Sequence, residues 1–399
     1  MTNPVWAEAY DRHRDLRGHH VRSACYAPIA SMYFDAFGNV TACCQNTRQV
    51  LGNVRDQSIS DIWRGEPALR LRQAVRDYDL GVGCEFCQWQ LDDGNVEATF
   101  ATSFDDLAVS GSDPPWPTQM EFALSNSCNL ECVMCHGDFS SSIRAHREHR
   151  PPLPKVYGDR YFEELAEFLP HLHRARFFGG EPFLAEESFR VFELLLAQRS
   201  SVPCNVTTNG TQWNERIERV LDGLPVSIGV SLDGVTPETV ESVRLNASFG
   251  VVLTNLVRFR RYTERRGTVL SLTFCLMRPN WHEFGDFLAF ADDLGCSVFV
   301  NTVVYPPRLS LYRMGVEELR GVLATLEGQT PRFSERLGLN RRVWFVEIDR
   351  LRRWLDRLEA REGSAPPQTG RRWYFEDHVE DPDLAERTAA RAVAIRNRR

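Results

Sequence analysis

The 399-residue sequence predicts an α/β architecture: six strand–helix units forming a parallel sheet or partial barrel, preceded by a small cysteine-bearing module and followed by a helical region. Three observations carry that prediction. From Gln119 onward, short apolar runs alternate with stretches whose apolar residues recur at helical spacing, the pattern of parallel strands joined by right-handed crossovers. Eight of the eleven cysteines gather into two groups, one before that alternation and one just after its first strand. An apolar fraction of 43% and a charged fraction of 25% are those of a globular protein, which excludes wholesale disorder.

Residues 1–24 read as an N-terminal extension and residues 25–91 as the small module. In the module, Tyr33–Phe34 and Val40–Ala42 flank Asp35-Ala36-Phe37-Gly38-Asn39, a hairpin in which Gly38 or Asn39 takes a positive φ. Ser60–Trp63 and Ala68–Tyr78 read as helices. So thin an apolar content in so short a stretch points to a module held by a metal or cluster rather than by its own core. Residues 92–118 contain Asp92-Asp93-Gly94-Asn95 and Ser110-Gly111-Ser112-Asp113-Pro114-Pro115-Trp116-Pro117, turn and extended signals that read as a linker. The sheet or barrel spans residues 119–310, with strands at Gln119–Ser125, Ala175–Phe178, Cys204–Thr208, Val226–Ser231, Val269–Met277 and Val298–Val304. Apolar helix faces lie between them: Tyr161, Phe162, Leu165, Phe168 and Leu169; Phe189, Phe192, Leu195 and Leu196; Phe284, Phe287, Leu288, Ala291 and Leu294. Ligands of such a fold collect at the C-terminal ends of the strands. Residues 311–399 read as mostly helical, with a break at 363–367 and an arginine-rich end.

With 47 basic and 54 acidic residues, the net charge of −7 argues against a non-specific nucleic-acid binder. No apolar run approaches the roughly 20 residues of a membrane span, and the N-terminus has no secretory core. The expectation is a cytoplasmic protein, in which cysteines serve as metal or cluster ligands rather than in disulfides.

Cys128, Cys132 and Cys135, spaced C-x₃-C-x₂-C, follow directly on the first strand of the alternation. Structural zinc takes four ligands, and His136 could complete such a site. Three thiolates on a four-iron cluster would instead leave one iron open, since full ligation takes four cysteines. The loop resembles the signature of the radical S-adenosylmethionine (radical SAM) superfamily. Three further motifs carry the resemblance, each at a strand end: Phe178-Gly179-Gly180-Glu181-Pro182, Thr207-Thr208-Asn209-Gly210 and Ser231-Leu232-Asp233-Gly234. It covers about residues 119–305. The resemblance implies that Cys128, Cys132 and Cys135 hold a [4Fe–4S] cluster whose open iron is chelated by S-adenosylmethionine. One electron then cleaves the sulfonium to a 5′-deoxyadenosyl radical, which removes hydrogen from a substrate carbon. Gly179 and Gly180 would let backbone approach a ligand, and Glu181 would pair with the methionine amino group. Asn209 and Ser231 suit ribose or carboxylate contacts, and Arg244 could bind the methionine carboxylate or stand as a solvated helix-end residue. Asp233 is read as shaping the turn with Gly234. Val133 and Met134 would pack near the adenine or simply within the loop.

The first cysteine group runs Cys25, a Gly38-x₄-Cys43 hairpin, Leu51-Gly52-Asn53, Asp61-Ile62-Trp63 and Cys84-x₂-Cys87. That order resembles the twitch or SPASM type of auxiliary-cluster module, here placed before the radical SAM region rather than after it. The resemblance implies a second [4Fe–4S] cluster on Cys25, Cys43, Cys84 and Cys87, with Cys44 as the alternative to Cys43. A zinc ribbon would use the same four cysteines. A fully ligated cluster favours an electron-transfer or structural part over substrate coordination.

Cys204, Cys275 and Cys296 stand alone in or beside strands, where a cysteine ordinarily acts as a small hydrophobe. Cys275, Cys296 and Tyr305 are the candidates for returning hydrogen to a substrate radical. The expected activity is radical SAM tailoring of a natural product, with a peptide or small-molecule substrate and a flavodoxin- or ferredoxin-type reductant. A sugar or aminocyclitol dehydrogenase or epimerase is the alternative within that class, and a zinc-stabilised binding scaffold the alternative outside it.

Overall fold

In the computed structural model the described residues are 4–362, apart from 47, 93, 95, 97, 98, 304 and 305, together with 390 and 393. The break at 363–367 and most of the arginine-rich end lie outside them, as does Tyr305. The chain divides into two compact units: residues 1–128, 152–206 and 214–226 form the first, and residues 129–151, 207–213 and 227–399 the second.

The first unit is built on strands β1 (Ser31–Phe34), β2 (Asn39–Thr41), β3 (Gly52–Asn53), β4 (Gln119–Phe122), β5 (Arg174–Phe177) and β6 (Cys204–Thr208, through Val206), in the order β3-β2-β1-β4-β5-β6. The expected hairpin is β1–β2, antiparallel with Tyr33 opposite Thr41, and Gly38 takes the positive φ of 84°. Asp35 caps the turn, its Oδ1 accepting from the backbone N–H of Phe37 and Asn39. β1 also pairs in parallel with β4, Ser31 beside Gln119 through Phe34 beside Phe122, and β4–β5 and β5–β6 continue in parallel. The module strand is therefore a direct neighbour of the first strand of the alternation. Alternate residues define two faces. On one, Phe34, Phe122 and Phe177 follow one another across the strands at ring separations of 6.0 and 5.2 Å, and Phe192 of the helix Glu186–Ala197 closes the row at 4.2 Å from Phe177. The other face carries Gln119, Glu121 and Arg176.

The module buries more apolar surface than its composition suggests. Ile59, Ile62 and Trp63 of the helix Ile59–Arg64 and Leu71 and Val75 of the helix Glu66–Arg76 are all sequestered. Arg72 spans them, stacked on Trp63 and donating to the carbonyls of Pro28 and Trp63. Within the segment read as a linker, residues 99–118 contain a 3-10 turn, Phe100–Phe104, and are tied down by Trp63 Nε1 donating to the Pro114 carbonyl and by a forked Arg14–Asp105 pair.

The second unit holds β7 (Val226–Ser231, all but its first residue), β8 (Leu270–Leu276) and β9 (Ser297–Thr302), paired in parallel. The helix Phe284–Asp293 sets Phe284 and Phe287 against Phe274 of β8, and Trp344 of the helix Arg341–Glu362 stacks on Phe284. Asn340 ties the C-terminal helices to the sheet, accepting from Val298 N and donating to the Cys296 carbonyl. The helix Val316–Arg336 completes the helical region.

Candidate functional site

In the first unit, Cys25, Cys43, Cys84 and Cys87 line one cavity, which holds about 390 Å³ of space between atoms, open solvent at its mouth included. Its other walls are mostly apolar, among them Ala27, Pro28, Ala42, Leu80 and, from the segment read as a linker, Phe100, Ala101 and Phe104, with Gln45 and Asn46 as the polar members. The elements converge for local reasons. Cys43 leaves the end of β2, while Gly83 takes a positive φ of 74° between Asn46 and Gln49, turning the chain into the helix Glu85–Asp92 that carries Cys87. Burial pushes all four thiols up, Cys84 to about 11 and Cys87 to about 12, and mutual repulsion raises Cys25, Cys43 and Cys87 further. Four thiols facing one dry space repel as thiolates unless a metal core neutralises them, and metal binding is what releases such protons. The donor set fits an iron–sulfur cluster. Cys44 is not part of that lining. Its thiol is raised to about 12 by burial and then by Glu121, with Arg176 opposing. Glu121 is itself fully buried on β4 and accepts from Arg176 Nη1 at 2.9 Å.

Also in the first unit, the two glycines after β5 make room for the chain's own backbone. Gly179, at φ 101°, would bring a Cβ to 2.9 Å from the Ser125 carbonyl, and Gly180 one to 2.7 Å from the Asn126 carbonyl carbon. Gly180 N and Glu181 N donate to the Ser125 and Ser127 carbonyls, fixing the segment that leads into Cys128. From the sequence these glycines are expected to admit a ligand; the close approach that the structure shows is to residues 123–127. Glu181 is fully buried, and its Oε1 accepts from Phe183 N at 3.1 Å.

In the second unit, the loop of Cys132 and Cys135 runs beside residues 243–245, with Glu131 N and Val133 N donating to the Leu245 and Val243 carbonyls. Val133 and Met134 pack against Val243, Met277, Val303 and Leu309. Arg244 is buried rather than solvated. Its Nη2 lies 2.6 Å from Asp233 Oδ2 and its Nη1 3.9 Å from Cys132 Sγ, so Asp233 holds its guanidinium above the usual range against the cost of burial. Asp233 does sit in the turn, at φ 66°, and its Oδ1 also accepts from Cys275 N at 2.6 Å. Cys275 is partly buried beside the same cluster, and burial raises its thiol strongly. Cys296 is buried under Asn340, its thiol raised to about 11 by burial. Asn209 forms a polar knot with Asn129 and Thr211: its Nδ2 donates to Asn129 Oδ1 at 3.0 Å and its Oδ1 accepts from Thr211 N. Ser231 ends β7, half-buried. His136 faces Asp138 at 3.9 Å.

Sequence reasoning passed over Asn129, Thr211 and Arg147. Arg147 is buried against the carbonyls of Cys132 and Cys135. Its only advance signal is a basic residue at the C-terminal end of the short helix Ser141–His146, too common a feature to read.

Known proteins agree with these motifs. Residues 122–291 match the radical SAM superfamily, and residues 25–88 match the iron-sulfur cluster-binding domain called SPASM. The chain carries a radical SAM domain and an SPASM-type module. The cofactors of such a pair are S-adenosylmethionine, a [4Fe–4S] cluster and an auxiliary iron–sulfur cluster. The radical SAM domain is similar to a probable GTP 3′,8-cyclase of Methanocaldococcus jannaschii, 24% identical over 44% of this chain and 55% of that protein. A mycofactocin maturase of Mycobacterium ulcerans is 26% identical over 46% of this chain and 47% of its own length. The chain thus spans about half the length of these curated relatives. Among solved structures, Streptococcus suis SuiB bound to S-adenosylmethionine is similar at 13% identity and a TM-score of 0.38, over 66% of this chain and 63% of that one. Among the described residues, no helix is long and apolar enough to cross a membrane.

Proposed function

We propose that this protein cleaves S-adenosylmethionine reductively and removes hydrogen from a carbon of a natural-product precursor, with Cys128, Cys132 and Cys135 holding the S-adenosylmethionine-binding cluster. Cys25, Cys43, Cys84 and Cys87 hold the auxiliary cluster. The observation that carries the reading is the convergence of those four cysteines on one mostly apolar cavity, taken together with a three-cysteine sequence motif that would leave a four-iron cluster one open corner.

When bound, S-adenosylmethionine on the reduced cluster supplies a 5′-deoxyadenosyl radical. The protein's part is position and exclusion of water. Gly179 and Gly180 lock the approach to Cys128, and Arg244, fixed by Asp233, donates toward Cys132. Glu181, Asn209 and Ser231 offer acceptors to the amino and ribose groups. Cys25, Cys43, Cys84 and Cys87 would hold a fully ligated cluster, which would supply electron transfer or structural support rather than substrate coordination. The substrate is a peptide: auxiliary-cluster members of the superfamily often act on peptides, and one relative is named a maturase. A flavodoxin- or ferredoxin-type protein supplies the electron.

Anaerobically reconstituted protein tests this. The expected result is about eight irons per chain, as two four-iron clusters require, and formation of 5′-deoxyadenosine with reductant that Cys128→Ala abolishes. Zinc without sulfide, or undiminished 5′-deoxyadenosine from Cys128→Ala, would overturn the assignment. Oxidation of an added sugar or aminocyclitol, with no peptide modified, would replace the substrate class alone.

A further inference from the structure

Arg147 is a cation buried without an anion. It is 1% exposed. Its Nη1 donates to the Cys132 carbonyl at 3.4 Å, its Nη2 donates to the Cys135 carbonyl, and its Nε has no hydrogen-bond partner. No carboxylate lies within ion-pair distance of it among the described residues. The nearby acids are engaged elsewhere: Glu148 accepts from Gly137 N and pairs with Arg150, and Glu131 Oε1 meets His146 and Asn246. Burial pulls the Arg147 guanidinium below its usual range, opposed at longer range by Cys135, Glu148 and Glu131 and reinforced by Arg308. An unpaired charge in such a place costs more than two carbonyl hydrogen bonds return. Arg244, also buried, differs in having Asp233 as its counter-ion.

We propose that the missing anion is the thiolate-ligated cluster itself, and that Arg147 is its built-in counter-cation, holding its reduction potential up by charge. The inference rests on the reading that Cys132 and Cys135 are cluster ligands. Three thiolates make the assembly anionic, and reduction by one electron from the low-potential protein donor makes it more so. A fixed cation behind the two ligand carbonyls therefore favours the reduced form, since net charge and surrounding dipoles set such potentials. Arg147 acts through the ligand loop and is a positioning residue.

The test is a redox titration of the reconstituted full-length protein followed by electron paramagnetic resonance, with the auxiliary cluster's signal as internal reference. Arg147→Gln is expected to lower the reduced-to-oxidised ratio of the S-adenosylmethionine-binding cluster at least about tenfold at fixed potential, about 59 mV for one electron, and Arg147→Lys by less than about threefold. The auxiliary signal stays in place. An unchanged ratio in Arg147→Gln, or equal falls in both variants, would overturn the proposal. Should Arg147→Gln fail to load the cluster, loading by Arg147→Lys still supports a role for charge, and failure of both marks a purely structural role and overturns it. Cys132→Ala separates the two levels: loss of the cluster signal keeps the ligand reading standing whatever Arg147 does, and persistence of the signal removes both.

Discussion

Cys43 and Cys44 are adjacent in sequence and occupy different chemical surroundings. Cys43 joins Cys25, Cys84 and Cys87 around the apolar cavity, whereas Cys44 answers electrostatically to Glu121 and Arg176. Cys43→Ala is therefore expected to halve the iron of reconstituted protein, from about eight to about four per chain, while Cys44→Ala keeps the full complement. Iron and sulfide analysis of the two variants checks it, and the reverse pattern would reassign the ligand. That Cys43 rather than Cys44 would sit on the cavity was readable because the Gly38-x₄-Cys43 interval is a property of one hairpin. Arg244 and Asp233 were harder to read. Their pairing depends on the left-handed turn at Asp233, which aims its carboxylate back at a residue eleven positions on, and that is invisible to periodicity. Arg147 was not readable at all, because a buried arginine and a solvated one look alike in a sequence.

At the scale of elements, strands were the most legible features. Each expected run reappears within a residue or three, because a short apolar run bounded by turn signals has few other places to go. The helix Glu85–Asp92 was missed: it follows a Gly-Val-Gly turn and begins inside the Cys84-x₂-Cys87 motif, both of which read as loop. The packing of residues 92–118 was missed for a related reason, since Pro and Ser content reports backbone conformation and says nothing of the Phe100 and Phe104 side chains that wall the cavity. Glu283 shows what binds neighbouring elements in the second unit. From the turn before the helix Phe284–Asp293, it accepts from Thr236 and Thr239 hydroxyls at 2.5 Å each and from Val235 N at 2.6 Å, clasping the start of the helix Pro237–Val243. Burial alone would raise its carboxyl, but these hydrogen bonds outweigh burial and hold it below its ordinary 4.5. A carboxyl lowered by folding stabilises the native state above about pH 4.5, and that contribution is lost as pH falls through the lowered value. Glu283→Gln is thus expected to be less stable than the parent at pH 7 by about 2 kcal/mol, the scale of one hydrogen bond to a charged group. Denaturant melts across pH should show the gap narrowing below about pH 4.5; a gap constant with pH would contradict the charge-based account.

At the scale of the whole molecule, the position of the auxiliary module ahead of the radical SAM domain finds its reason within the first unit. β1 of the module lies directly beside β4 and parallel to it, a pairing that requires a long crossover, and residues 35–118 supply one. The module is consequently part of the sheet that the domain builds on. Thr118 N donates to the Ala30 carbonyl, Ala123 N donates to the Phe34 carbonyl, and Ile59 N donates to Glu164 of the helix Asp159–Phe168. Removing residues 1–91 would leave β4 as an exposed sheet edge, paired only with β5 and with Phe122 stripped of Phe34, the kind of edge that pairs with other chains. The truncated chain is expected in the insoluble fraction or in large aggregates by size-exclusion chromatography. A full-length Cys84→Ser/Cys87→Ser variant separates the strand from the cluster, because it loses auxiliary ligands while keeping β1 and the buried Trp63 core. That variant is expected to stay soluble with the circular dichroism of the parent and a lower melting temperature. If the truncation were soluble and still loaded the S-adenosylmethionine-binding cluster, the module would be a detachable electron carrier, and the β1–β4 pairing would be incidental to the domain's stability.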